Sequence, residues 1–372
     1  MDIAIYGAQG IALGAYEAIT TLYPKRSIKC FLVSERGINA ETLGGVPVKE
    51  IDEFSSESSA VDRNNTQIII ATPENVQPEI EDNLESYGFH NHLRLDADRY
   101  SDLVKLFHTK KGEFLPLSAL PVCCSKPFIR IFMAKHEKDR KLTGQYIIPE
   151  YMIPIQVGAE LADTKVANIL DNKGDNISQK NVNYSELTAL YWMWKNRLED
   201  KAKISAESSK GANDIDVGQY YGLYQYRRVL NLSDDDILRL QDNDVDVVLP
   251  FPMPYEPSIH AHHERYIKPV DYEALRQAVK ELDPEYYSDF DSILEQRYLY
   301  NYNVILAKKT VLRDYCSWLF PILERVEELS VPKGCERADR YIGYMGETLE
   351  TLYFMRNKDK LNVTHTDCRM LT

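Results

Sequence analysis

Two adjacent arginines, Arg227 and Arg228, close the aromatic run YYGLYQYRRVL at residues 220–230. The alternating character of the run suits a strand. Two guanidinium groups at a strand end are costly to bury alone, so they call for a diphosphate or for structural carboxylates. A second polar centre is DNKGDNISQKNVNYSELTALYWMWK, residues 171–195, a glycine-containing loop that empties into a helix. Tyr184, Leu187, Tyr191 and Trp194 recur there at three- and four-residue steps, the spacing of one buried helix face. Asn183 followed by Glu186 fits a capping box, which predicts a helix starting at Asn183 with its positive end toward the loop, a natural seat for phosphate. Near the C-terminus, RYIGYMGETLETLYF reads as a glycine-punctuated turn at Gly343 and Gly346 that enters a helix at about Glu347.

Other spacings imitate functional motifs. Asp242 with Asp244, Asp244 with Asp246, and Asp289 with Asp291 match the Asp-x-Asp pattern that holds a metal, but such pairs arise easily among 57 acidic residues and read as solvated turns. His260, His262 and His263 form H-x-H-H, which fits acceptor contact or a polar surface better than a metal site. Tyr191 and Lys195 stand as Y-x-x-x-K with Ser178 upstream, as in short-chain dehydrogenases and nucleotide-sugar epimerases. In those enzymes the tyrosine helix shares one continuous sheet with the glycine loop, whereas here a proline-rich stretch and a fresh series of strands intervene.

These residues must be carried by two domains, because 372 residues exceed what one core usually supports. The first, residues 1–108, alternates strands and helices: Asp2–Tyr6, 28–33, 67–71 and 92–95 predict a small doubly wound parallel sheet. Gly7, Gly10 and Gly14 follow its first strand as G-x-x-G-x-x-x-G, and Glu35 follows the second, where a ribose-binding acid sits. The glycines serve either nucleotide binding or tight turns and packing. Residues 109–127 read as a linker with Pro116, Pro121 and Pro127, and residues 128–372 as the second domain. Its predicted strands are 129–134, which leads into Lys135 and His136, then 153–157, 220–230, 245–249 and 303–307; a helix over 311–320 meets Pro321, and the polar stretch 199–216 reads as a surface loop.

A net charge of −13 argues against a nucleic-acid partner. The six cysteines contain no C-x-x-C pair, so neither a zinc knuckle nor a disulfide framework is expected, and a reducing cytoplasm is the default. The opening MDIAIYGAQG is unlike a signal peptide and no stretch is apolar enough to span a bilayer, so membrane contact would be peripheral.

The segments IRIFMAKH, PIQVGAEL, DNKGDNISQKNVNYSELTALYWMWKN, YGLYQYRR, YNYNVILAKK, YCSWLFPIL and RYIGYMGETLE, in that order, resemble the capsular and exopolysaccharide glycosyltransferases catalogued as domain of unknown function four-four-two-two, which are galactofuranosyltransferase-like. The resemblance runs from about Ile129 almost to the C-terminus. It implies a GT-A-like α/β fold and a probe-able activity: transfer of a hexose, often galactofuranose, from a UDP-sugar to a lipid-linked saccharide at the inner face of the plasma membrane. The first domain resembles the Rossmann-like domains attached to polysaccharide-assembly enzymes.

On that resemblance, Arg227 and Arg228 neutralise the leaving diphosphate, assisted by Lys180, with a divalent manganese or magnesium ion as the alternative. His136, Asp171, Asn172, Asp175, Asn176, Lys180, Asn181 and Asn303 are the candidates for donor binding, and His262 and His263 for the acceptor. Glu347 is the candidate base of an inverting transfer, or else a helix-dipole carboxylate. The family often shows histidine before its Tyr-Arg-Arg triplet; Gln225 stands there, so no imidazole is essential at that point. The rivals are an NAD-dependent nucleotide-sugar epimerase or dehydrogenase, and a sugar-nucleotide-binding assembly subunit without turnover.

Overall fold

The computed structural model describes residues 2–142, 144, 146–199 and 219–371. Apart from Glu199, the stretch 199–216 read as a surface loop lies outside the described residues. The chain divides into two compact units, the first comprising Met1–Pro116, Phe251–Ile259 and Arg297–Leu299, the second the remainder.

In the first unit, β1 (Asp2–Tyr6), β2 (Ile28–Val33), β3 (Thr42–Leu43), β4 (Val46–Glu50), β5 (Thr66–Ile70) and β6 (His92–Arg94) form one sheet in the order β3-β4-β2-β1-β5-β6. All pairs but β3–β4 are parallel. The apolar runs DIAIY, IKCFLV and TQIII are nearly continuous because such a sheet is covered on both faces. Ile5, Phe31 and Ile69 pack on one side, and Ala4, Leu32 and Ile68 on the other. The short strands β3 and β4 escape the sequence pattern, and Pro47 is tolerated because it pairs only at the sheet margin.

The three glycines after β1 have packing reasons. Gly7 has φ +124°, and a Cβ there would lie 2.6 Å from the Ala71 carbonyl oxygen. A Cβ on Gly10 would meet Met253 at 2.8 Å, and one on Gly14 the Tyr100 hydroxyl at 2.5 Å. Glu35 is exposed just beyond β2. The helix Ala97–Lys111 ends on Gly112 in the left-handed region, so residues 109–111 are helical. The returning segments pair antiparallel, Met253–Pro254 with Tyr298–Leu299. Arg297 reaches Glu17 at 2.7 Å and Glu256 at 3.1 Å, and Glu256 accepts from the Gly44 N–H at 2.7 Å. The linear division at residues 108 and 127 puts both segments in the second domain, whereas they group with the first unit.

The second unit holds β7 (Ile129–Lys135), β8 (Met152–Gln156), β9 (Ile169–Leu170), β10 (Tyr220–Gln225), β11 (Arg228–Leu230), β12 (Val247–Pro250), β13 (Ile305–Lys308), β14 (Val363–Thr366) and β15 (Cys368–Met370). The main order is β9-β8-β7-β10-β13-β12-β14, with β11 bridging β10 and β15. Of the strands on the main path, only β13 runs against its neighbours. This is a mixed α/β arrangement, and its chain order reverses between β7 and β10, the switch point beside which ligands of α/β sheets bind.

Three local expectations are corrected. The run 220–230 is not one strand but a hairpin turning at Tyr226 and Arg227. The helix Lys309–Leu329 continues through Pro321, whose cost of about 3 kcal/mol is outweighed by the buried stripe Leu312, Tyr315, Leu319, Leu323 and Val326. The capping box does not form: Asn181–Tyr184 is a single turn, Ser185 breaks it at φ 51°, and the next helix is Leu187–Met193. The Asn183 amide instead donates to the carbonyls of Arg337 and Asp339, at 3.1 and 2.9 Å.

Candidate active site

The carboxyl ends of the parallel strands present Lys135 and His136 at the end of β7, Val157 after β8, Asp171 after β9, and Gln225 to Arg227 at the end of β10. Because β13 is antiparallel, its leading residues Asn301–Asn303 arrive at the same edge. The β10–β11 turn holds the two arginines there, both partly exposed. Arg228 lies over the Tyr302 ring, 4.3 Å from its centroid, and Arg227 over Tyr226 at 5.6 Å. Neither forms an ion pair among the described residues. Asp139 feels the charge of Arg227, but its carboxylate accepts from the His136 N–H at 2.7 Å and burial raises its pKa. Of the two counter-groups the arginines require, structural carboxylates do not supply the pairing. Guanidinium groups do not ligate a cation, so the end of β10 does not fit a divalent metal.

Beside the arginines lies a buried charge network that periodicity does not reveal. Arg340 Nη2 donates to both Glu186 oxygens, at 2.8 and 2.9 Å. Asn303 and Gln225 donate to the same carboxylate at 2.8 and 3.1 Å. Tyr302 and Asn303 adopt φ of 77° and 51°, and Ser185 next to Glu186 adopts 51°. Left-handed backbone at non-glycine residues costs roughly 1–3 kcal/mol each and persists where surrounding contacts over-determine it, commonly at functional sites.

Glu347 belongs to this network. It is not at a helix start: the helix runs Tyr341–Arg356, with Gly343 and Gly346 inside it. The helix-dipole reading therefore fails, since the dipole acts within the first turn. The glycines allow close approach, because a Cβ on Gly346 would lie 2.7 Å from Leu187 and 2.8 Å from Asn303 Oδ1. Burial pushes Glu347 up to about 7, against the opposing pull of Arg340 and a hydrogen bond from the Tyr302 N–H. Asn301 donates to it at 3.4 Å. One turn on, burial holds Glu350 well above the usual carboxylate range.

The other candidate residues separate into groups. His136 stands with Arg227 around Asp139, and Asn303 stands in the Glu186 network. Asp171 is fully buried and organises its own loop, accepting from the Gly158 and Ala159 N–H groups at 2.9 and 3.0 Å, from Thr188 at 2.7 Å and from Ser178. Asn181 donates to the Ser185 carbonyl at 2.8 Å, Asn176 to the Gly174 carbonyl at 2.8 Å, and Asn172 to Glu160 at 3.1 Å. Asp175 is exposed and accepts from the Tyr191 hydroxyl at 3.3 Å. Lys180 is paired with Glu327 at 2.7 Å, which explains its charge without a ligand. Replacing Asp171 by alanine strands several buried donors, and urea unfolding is expected to show a loss on the order of 3 kcal/mol.

His263 is buried against Thr348 with its pKa lowered to about 3, which takes it away from any acceptor surface; His262 is partly exposed and lowered to about 4, chiefly by burial. The Asp-x-Asp pairs have local partners: Asp242 accepts from the Ser125 N–H, Asp244 and Asp246 hold Lys308, Asp289 holds Arg356 and Asp291 holds Arg276. The Y-x-x-x-K residues are likewise engaged apart from one another. Tyr191 packs edge-on to Phe320, Lys195 pairs with Glu199, and Ser178 serves Asp171.

Residues 130–358 match the family model described as Domain of unknown function (DUF4422). No curated protein matches the chain. Among solved structures, the chain is similar to the apo structure of the WbbM bifunctional glycosyltransferase, at 22% identity and a TM-score of 0.47 over 66% of this chain and 45% of that one. The chain thus spans less than half of that protein's length. With well over half of its residues inside the family model, the chain belongs to the family of domain of unknown function 4422.

Proposed function

We propose that this chain is a hexosyltransferase that moves a sugar, such as galactofuranose, from a UDP-sugar to a lipid-linked saccharide in capsular or exopolysaccharide biosynthesis. The observation that carries the reading is the pair of partly exposed guanidinium groups at the switch point, without a carboxylate partner among the described residues, beside a buried carboxylate held near neutrality. In this reading the acceptor hydroxyl gives its proton to Glu347 as its oxygen attacks the anomeric carbon. The bond from that carbon to the diphosphate breaks, UDP leaves with the electron pair, and Arg227 and Arg228 stabilise the charge gathering on it. A single displacement inverts the anomeric centre.

His136 and Asn303 complete the donor side, and the glycine-bearing first unit is a nucleotide-binding or subunit-pairing accessory. Among the described residues no helix is long and apolar enough to cross a membrane. We place the protein in the cytoplasm, meeting its acceptor peripherally at the inner face of the plasma membrane. Calorimetric titration of the full chain with UDP, UDP-sugars and NAD, with and without manganese, tests the reading. Metal-independent binding of UDP-sugar, with release of UDP on adding a saccharide acceptor, supports it; binding without turnover favours a sensor, and binding of NAD alone favours an epimerase or dehydrogenase.

A further inference from the structure

A group of aromatic side chains beside Glu347 is not accounted for by the donor chemistry. Tyr266 is 50% exposed, an unusual state for a large ring next to a buried charge network. Its centroid lies 5.3 Å from that of Tyr344 and 5.2 Å from that of His262, with both rings tilted against it. Tyr344 is the one residue between 341 and 350 that is not buried, and it precedes Glu347 by three positions, one helical turn on the same side. Arg340 covers the Tyr344 ring at 5.4 Å, so one face of the group is anchored to the network that holds Glu186. Tyr302 carries Arg228 on its ring. The Tyr266–Tyr344 pair is thus anchored on the Tyr341–Arg356 helix one turn from Glu347.

We propose that Tyr266 and Tyr344, flanked by His262, form a stacking platform that binds one monosaccharide ring of the acceptor and holds its hydroxyl toward Glu347. The proposal rests on the transferase reading for its last clause, while the binding itself does not. A sugar ring has an apolar C–H face that suits an aromatic surface and hydroxyl edges that need hydrogen-bond partners. Tyrosine supplies both kinds of contact from one rigid side chain. His262, with its pKa lowered to about 4 chiefly by burial, is a neutral imidazole at physiological pH, so it flanks the platform without attracting anions. This differs from the arginine pair, whose chemistry is that of phosphate. His263 takes no part, being buried against Thr348.

The test uses the full-length chain and two readouts. Saturation-transfer NMR with methyl β-D-galactopyranoside and methyl β-D-galactofuranoside reports ring binding, and initial rates with the octyl glycosides as acceptors report transfer from UDP-sugar. Tyr266→Ala is expected to raise acceptor KM about tenfold or more, with kcat at saturating acceptor and donor affinity unchanged, and Tyr266→Phe to restore most of the loss. Because Tyr266 is half exposed, the variants fold, as an unchanged melting temperature will verify. Unchanged acceptor KM in both Tyr266→Ala and Tyr344→Ala would overturn the proposal. Saturation transfer that is lost in Tyr266→Ala, in a wild-type protein that transfers no sugar, would leave the platform standing and remove the transferase reading. Absence of both binding and transfer would overturn both.

Discussion

Glu347→Gln is expected to lower kcat by about a thousandfold and leave UDP-sugar affinity within a factor of two. A positioned base contributes roughly 10²–10⁴ in rate. Gln keeps the shape and the hydrogen bond from Asn301 but takes no proton. The wild-type rate is expected to rise with pH through a single ionisation near 7, where burial places this carboxyl, because only the ionised form is a base. The variant loses that limb. Stability moves the other way. The folded-state pKa lies above the unfolded value near 4.5, so the protonated, stabilising form is fully present below pH 4.5 and its contribution is lost as pH rises toward 7. At pH 8 the wild type bears the full cost of a buried charge, and Glu347→Gln should be the more stable protein, by on the order of 2 kcal/mol. Loss of turnover with a higher melting temperature separates a lost base from a damaged fold; retained turnover would remove Glu347 from the chemistry.

Arg228→Ala is expected to reduce kcat/KM by about 10²–10³, the range seen when one group that stabilises developing charge is removed. Since Arg228 also covers the Tyr302 ring, part of the effect is loss of packing. Arg228→Lys tests this, because a lysine keeps the charge but not the planar fork that spans two phosphate oxygens. Recovery of UDP affinity by less than tenfold in the lysine variant points to bidentate recognition. Arg227→Ala should act in the same direction but more weakly, and the double variant should lose UDP binding altogether. Unchanged UDP affinity in Arg227→Ala, Arg228→Ala and the double variant would take the diphosphate away from this turn.

What could be read from the chain followed from how local each cause was. The parallel strands announced themselves as apolar runs, and the arginine pair as two cations that a strand end cannot hide. Glu186 and Arg340, by contrast, are 154 residues apart and meet only when the Tyr341–Arg356 helix docks. Asn183 and Glu186 have the spacing of a cap, yet stronger partners claim both: backbone carbonyls for the amide, a guanidinium for the carboxylate. His263 looked like a surface imidazole because burial depends on what packs over it, here Thr348. The hairpin at residues 220–230 was hidden because neither Tyr226 nor Arg227 is a usual turn residue.

The two returning segments at 251–259 and 297–299 have a consequence for truncation. Both fall inside the stretch that matches the family, yet they complete the first unit, where Met253 and Pro254 rest on the glycine face of the Gly10–Leu22 helix. The first unit is thus built from three stretches of the chain rather than one. A fragment ended at residue 116 would lack Met253, Pro254 and Arg297, and so would leave the glycine face of the first helix and the Glu17 carboxylate without these contacts.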